Sequence, residues 1–119
     1  MKVAIIGATS FVGENLILHL QKSNFNIVAT YNSNKKIRNK RKIIWKKLDL
    51  RKRKKNYFKY LGSPDIVINL AWPNIPNYKT KKHFQTYIFQ KKLIYNLVQH
   101  GLKSLIVTGT CYEYGKTSG

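Results

Sequence analysis

The sequence predicts an α/β fold, a doubly wound parallel sheet of about five strands with helices on both faces, in one domain spanning residues 1–119. Three observations carry this. Short apolar runs rich in β-branched residues alternate with stretches of helical spacing. The run Asp65–Ala71 is apolar at successive positions, as a parallel strand covered on both faces must be. The chain also opens with strand, glycine turn and helix: Lys2–Ile6 is broken by Gly7, Gly13 follows six residues later, and Glu14–Gln21 carries helical spacing.

That opening unit has a definite chemistry. A helix N-terminus offers N–H groups without intrahelical partners, and the positive end of a dipole, to an anion such as a pyrophosphate. Gly7 permits the tight turn, and Gly13 lets helix and strand pack closely. The middle position of the three-glycine fingerprint is Ser10, which keeps the N–H and adds a hydroxyl while its Cβ narrows the approach. Gly7, Thr9, Ser10, Phe11, Val12 and Gly13 are the candidate phosphate-binding turn; the alternative is a plain structural turn. The helix is predicted over Phe11–Lys22, with Val12, Leu16, Ile17 and Leu20 facing inward. Ser23 and Asn24 close it.

Gly-Ala-Thr-Ser-Phe-Val-Gly, placed directly after a strand that starts at residue 2, resembles the Gly-Ala-Thr-Gly-Phe-Ile/Val-Gly loop of the extended short-chain dehydrogenase/reductases, the NAD-dependent epimerase/dehydratase family. The resemblance implies a Rossmann sheet, expected in the order 3-2-1-4-5, and a bound NAD or NADP.

The second strand is Asn26–Thr30. At its end a carboxylate would accept from the ribose 2′-OH of NAD, whereas small polar or basic residues suit the 2′-phosphate of NADP. The segment Thr30-Tyr31-Asn32-Ser33-Asn34-Lys35-Lys36 has no acid, which favours NADP, with Asn32 and Ser33 as cofactor contacts. A third strand is predicted over Ile43–Lys47, followed by Leu48-Asp49-Leu50. Asp49 has two readings. Among lysines it can be an ion-pair partner or a helix cap; the resemblance implies instead that Asp49 and Leu50 lie against the adenine. A basic helix is predicted over Arg51–Leu61, with Tyr57, Phe58 and Leu61 as its apolar contacts, ended by Gly62-Ser63-Pro64.

Asp65–Ala71 is the fourth strand. It resembles the family's Asp-x-Val-x-x-Leu-Ala segment, which implies that Leu70, Ala71 and Trp72 run beside the cofactor's ribose and nicotinamide. The loop Trp72–Asn77 carries two prolines. The longest helix is predicted over Lys81–His100, with Phe84, Ile88, Leu93, Leu97 and Val98 on its buried side. His83 and His100 read as surface residues, and nothing at metal-ligand spacing accompanies them. Where the family often carries Asn in this helix, the sequence has Gln85 and Thr86.

The fifth strand is Ser104–Gly109. Thr108–Gly115 resembles the family's Ser-Ser-x-x-x-Tyr-Gly segment, in a form associated with sugar-nucleotide ketoreductases. The resemblance puts Thr110 at the catalytic Ser/Thr, whose hydroxyl can bond the substrate oxygen while hydride moves; the alternative is a Thr that caps the strand end. Cys111 reads as a small buried residue, and Glu113 and Tyr114 as pocket-shaping. Tyr114 is followed four residues later by Ser118, so it is not the tyrosine of the family's catalytic Tyr-x-x-x-Lys pair. The resemblance implies that pair a few tens of residues beyond Thr108–Gly115, further than the 119 residues reach. The expectation is therefore the N-terminal cofactor-binding portion of a nucleotide-sugar epimerase, dehydratase or 4-ketoreductase-like oxidoreductase, truncated before its substrate part and without competent catalysis alone. A non-catalytic nucleotide-binding module and a basic nucleic-acid-binding protein are the alternatives.

Charge and composition bound the partners. Twenty-three Lys and Arg oppose four Asp and Glu, a net charge of +19, and fourteen of the cations lie between Lys35 and Lys59. Such a stripe can bind polyphosphate, nucleic acid or an anionic membrane surface. Its spread over a loop, a strand and a helix, with no nucleic-acid motif, favours lysines that are simply solvated. One cysteine excludes an internal disulfide and suits a reducing, cytoplasmic setting. No apolar run approaches the ~20 residues of a membrane span, and no leader pattern precedes the first strand. The fifth strand lacks a following partner strand in the sequence, so its outer edge is expected to be a site of self-association.

Overall fold

The computed structural model describes residues 1–33, 42–73 and 79–109. In chain order the elements are β1 (Lys2–Ile6), α1 (Phe11–Leu20), β2 (Asn26–Tyr31), β3 (Ile43–Lys47), α2 (Tyr57–Tyr60), β4 (Ile66–Asn69), α3 (Lys81–Gln99) and β5 (Ser104–Val107). The strands form one parallel sheet in the order β3-β2-β1-β4-β5, as expected.

Successive strand residues point to opposite faces, and this divides the apolar residues into two cores. Ala4 is in register with Val28 and Val67, and with Ile6 they meet Leu48, Tyr57, Leu61, Leu93 and Leu97 beneath α2 and α3. Val3 and Ile5 are in register with Ile27 and Ala29, and they meet Ala8 and Ile17 beneath α1. Leu93 and Leu97 are fully buried; burial of such a side chain contributes about 1.5–3 kcal/mol.

Three helical expectations need correction. Helix α1 ends at Leu20, and its inward residues are Gly13 and Ile17, flanked by Leu16 and Leu20; Val12 is 54% exposed. The close approach of the helix start to the turn selects the glycine face, and Val12, one position round the helix, is turned outward. The helix expected over Arg51–Leu61 shrinks to Tyr57–Tyr60. Five consecutive cations, Arg51 to Lys55, would repel one another along a helix without acidic relief. The helix starts instead at Asn56, whose Oδ1 accepts the Lys59 N–H at 2.7 Å. Asn96 of α3 secures this start, accepting the Tyr57 N–H at 2.8 Å and donating to the Lys55 carbonyl at 2.9 Å.

In α3 the buried residues are Thr86, Gln90, Leu93 and Leu97. Ile88 is half-buried, while Phe84 and Val98 are exposed. The N-terminal half of α3 crosses the polar C-terminal end of β4, so amide and hydroxyl groups take inward positions that apolar residues were expected to fill. Strands β4 and β5 are shorter than expected, stopping at Asn69 and Val107, and just beyond them one main-chain bond each is joined by side-chain bonds from Asn69 and Thr108.

Candidate functional site

Gly7 leaves β1 at φ +79°, in the left-handed region that glycine adopts without strain. A Cβ there would lie 2.9 Å from the Ala71 nitrogen, so the turn also rests on the backbone that follows β4. A Cβ on Gly13 would lie 2.7 Å from the carbonyl oxygens of both Gly7 and Ala8. The two glycines thus let strand, turn and helix start come together with no side chain between them. Ser10 supplies the cap: its N–H donates to the Gly7 carbonyl at 3.1 Å, and its Oγ accepts the Gly13 N–H at 3.1 Å. Its side chain is therefore turned onto the helix end. Helix geometry leaves the N–H groups of Phe11 and Val12 without intrahelical acceptors, and both side chains are exposed at the rim, Phe11 at 84%. Thr9 lies half-buried within the turn.

The turn is tied to β2 by a residue that the sequence left out of the site. Thr30 is buried; its Oγ1 accepts the Gly7 N–H at 3.3 Å and its carbonyl accepts the Ala8 N–H at 3.1 Å. Asn32 and Ser33 follow at the same C-terminal edge of the sheet, both exposed. At the end of β3, Leu48 donates to the Tyr31 carbonyl at 2.8 Å, which brings the Asp49–Arg51 turn beside β2. Asp49 there has a local partner: its carboxylate accepts from the Arg51 N–H at 3.0 Å, from Nε at 2.9 Å and from Nη2 at 2.8 Å. The Arg51 hydrogen bond holds the Asp49 carboxyl below its ordinary range, against the opposing effect of burial. Its contribution to stability is complete above the unfolded-state value and is lost as pH falls through the lower folded value. Leu50 packs partly into the α2–α3 core.

At the end of β4 the chain is held by side-chain amides. Leu70 donates to the Ile6 carbonyl at 2.8 Å. Asn69 and Gln90 are both buried, and the Asn69 Nδ2 donates to the Gln90 Oε1 at 2.6 Å. The Asn69 Oδ1 accepts the Ala71 N–H at 3.2 Å, and the Gln90 Nε2 donates to the Ala71 carbonyl. Trp72 donates from Nε1 to the His83 Nδ1 at 3.2 Å, with ring centroids 5.3 Å apart. His83 is thus half-buried against Trp72 rather than a plain surface residue, whereas His100 is exposed. Thr108, just past β5, donates from its N–H to the Asn69 carbonyl at 3.2 Å.

The fold therefore gathers Gly7 to Gly13, Asn32, Ser33, Asp49, Leu50, Leu70, Ala71 and Trp72 along one edge of the sheet, where parallel α/β sheets bind ligands. Thr110, Cys111, Glu113 and Tyr114 lie outside the described residues, as do residues 34–41 and 74–78. Thr30, Asn69 and Gln90 escaped the sequence reading. Gln90 was detectable in principle, since it shares one helical stripe with Thr86, Leu93 and Leu97.

Two lysines of the basic segment lie over the Tyr60 ring. Lys54 Nζ stands 3.8 Å from the ring centroid and Lys46 Nζ stands 5.2 Å from it. Burial, with a smaller contribution from Tyr31, raises the Tyr60 phenol above its ordinary value. Among the described residues no group of three or more His, Cys, Asp or Glu could hold a metal ion, and no helix is long and apolar enough to cross a membrane.

A family model described as the NAD dependent epimerase/dehydratase family matches residues 3–119. No curated protein matches significantly. Among solved structures, UDP-N-acetylglucosamine 4-epimerase from Methanobrevibacter ruminantium M1, in complex with UDP-N-acetylmuramic acid, superposes with a TM-score of 0.81 at 20% identity, over 99% of this chain and 40% of its own. MoeE5, in complex with UDP-glucuronic acid and NAD, gives 0.77 at 24% identity over 100% of this chain and 40% of its own. The oxidoreductase ylbE from Lactococcus lactis gives 0.77 at 19% identity over 98% and 51%. At these identities the likeness is one of fold, and this chain spans about half or less of each neighbour.

Proposed function

Because the chain belongs to the NAD-dependent epimerase/dehydratase family, we propose that it is the NAD(P)-binding portion of an oxidoreductase acting on a nucleotide-sugar. The observation that carries this is the Gly7–Gly13 turn, where two glycines let strand, turn and helix start meet so closely that a Cβ at either would strike backbone. The group fits: Ser10, the departure from three glycines, spends its side chain on the helix cap and leaves the approach to Phe11 and Val12 open.

When bound, the nicotinamide would exchange hydride with a sugar carbon. The residues of this chain bind and orient. The first-turn N–H groups of α1 would receive the pyrophosphate. Asn32 and Ser33 would meet the adenosine ribose, and Asp49 and Leu50 the adenine. Leu70, Ala71 and Trp72 would border the ribose and nicotinamide. Thr110 would hold the substrate oxygen, and residues 1–119 alone would bind cofactor without turning substrate over.

The acid-free segment after β2 favours NADP(H) over NAD(H), because a carboxylate there would repel the 2′-phosphate. Fluorescence titration with NADPH and NADH should give the lower Kd for NADPH. Tighter binding of NADH would remove the preference.

Self-association is proposed through β5. Among the described residues β5 pairs only with β4, and Ile106 and Val107 are about half-exposed, at 51% and 48%. An open strand edge with apolar neighbours is a template for another chain, and a charge of +19 adds repulsion without covering it. Sedimentation at low salt should show association, and the amides of residues 104–109 should exchange faster than those of residues 2–6. A sharply melting monomer with equal protection in both strands would refute this.

A further inference from the structure

Ala71 lies beyond the last ladder residue of β4, yet both of its main-chain groups are bonded, and both to side-chain amides. The orientation of those amides is forced. The Ala71 N–H needs an acceptor, so Asn69 must present Oδ1 to it and turn Nδ2 toward Gln90. Gln90 must then present Oε1 to Asn69, which leaves Nε2 for the Ala71 carbonyl. No amide can flip without opposing two like groups in a buried place. The pair reaches further. The Ala71 backbone is what a Cβ on Gly7 would strike, so it forms the floor of the phosphate turn. The Asn69 carbonyl accepts from both the N–H and the Oγ1 of Thr108, at 3.2 and 3.4 Å, where β5 runs out toward Thr110.

We propose that Asn69 and Gln90 are positioning residues for the cofactor site: their closed amide pair continues β4 beyond its last rung and fixes the height of Ala71 under the Gly7 turn. The inference rests on the cofactor reading above and adds that affinity is set partly from α3, through a helix residue that contacts Ala71 rather than the turn itself. An apolar residue of similar size at position 90 would fill the space and leave Asn69 Nδ2 and the Ala71 carbonyl without partners, a loss on the scale of a buried hydrogen bond.

NADPH titration of the 119-residue chain, with thermal melting and amide exchange on the same samples, tests this. Gln90→Leu, assayed well below its own melting temperature, should bind about tenfold more weakly, the effect of one such bond, with faster exchange of the Ala71 amide. Gln90→Glu separates positioning from packing. Its carboxylate can accept from Asn69 but cannot donate to Ala71; its protonated acid can do both. Affinity should therefore be weak near pH 8 and recover toward wild type near pH 5, in a buried site that raises the carboxyl pKa. His83, on the same helix and bonded to Trp72, is present in wild type as well, so the difference between the two profiles reads position 90. Folded variants with wild-type affinity and parallel pH profiles would overturn the proposal, as would weakening confined to conditions in which the variants are themselves unfolded. Wild-type chain that binds neither NADPH nor NADH would instead remove the cofactor reading on which it stands.

Discussion

Gly13→Val should abolish measurable cofactor binding and lower the melting temperature of the chain. Even the first added carbon would sit 2.7 Å from two carbonyl oxygens and 2.8 Å from the Ala8 carbonyl carbon, all of them backbone. Those atoms cannot rotate aside as the end of a flexible side chain could. The start of α1 must then lift from the turn, which breaks the Ser10 cap and displaces the N–H groups offered to the pyrophosphate. Overpacking of this kind costs about 1–3 kcal/mol, or roughly 3–15 °C for a chain of this size. The binding loss should exceed about 100-fold, because the turn itself is rebuilt; this is an order-of-magnitude expectation for disturbed placement of a charged ligand. Titration and thermal melting on the same preparation check both effects. Unchanged affinity would reduce residues 7–13 to a structural turn.

Thr110→Ala should lower kcat by about 10- to 1000-fold, the range for losing one oriented hydroxyl or oxyanion donor. The assay joins this chain to a downstream segment that supplies the family's catalytic Tyr-x-x-x-Lys pair, which the resemblance places a few tens of residues beyond Thr110. The rationale is positional. Strand β5 ends at Val107, and Thr108 is bonded to the Asn69 carbonyl, at the sheet edge that also carries the Gly7 turn. Thr108 and Gly109 thus stand at the end of the sheet where the proposed cofactor residues gather. Thr110→Ser keeps the hydroxyl and should retain most of the rate. Wild-type turnover in Thr110→Ala would leave Thr110 as a strand cap.

Much of the architecture was legible because its determinants are local. Runs of Val, Ile and Ala mark β1, β2 and β4, and alternation within them assigns the two cores, which needs only the pleat of a strand. The turn was equally legible. A residue leaving a strand at positive φ and a helix start pressed against that turn both demand glycine, and Gly7 and Gly13 state this at fixed spacing.

What only the tertiary structure decided depends on residues distant along the chain. The α3 stripe could be drawn through Phe84 and Val98 on apolarity alone, because an isolated helix carries no mark of which face meets a polar strand end. The face is chosen by Asn69, twenty-one residues before Gln90, whose amide needs a complementary amide once both are buried. Asp49 read equally well as an ion-pair partner or an adenine contact; the structure shows the ion pair with Arg51, its neighbour in sequence, and the adenine contact stays a proposal. The basic run after it carries side chains with high helix propensity, yet five adjacent cations stay out of the helix, which forms only where Asn56 caps it and Asn96 of α3 holds its first turn. Propensity and periodicity are properties of neighbours in sequence. The satisfaction of buried polar groups is a property of neighbours in space, and in this chain it determines the floor of the candidate site.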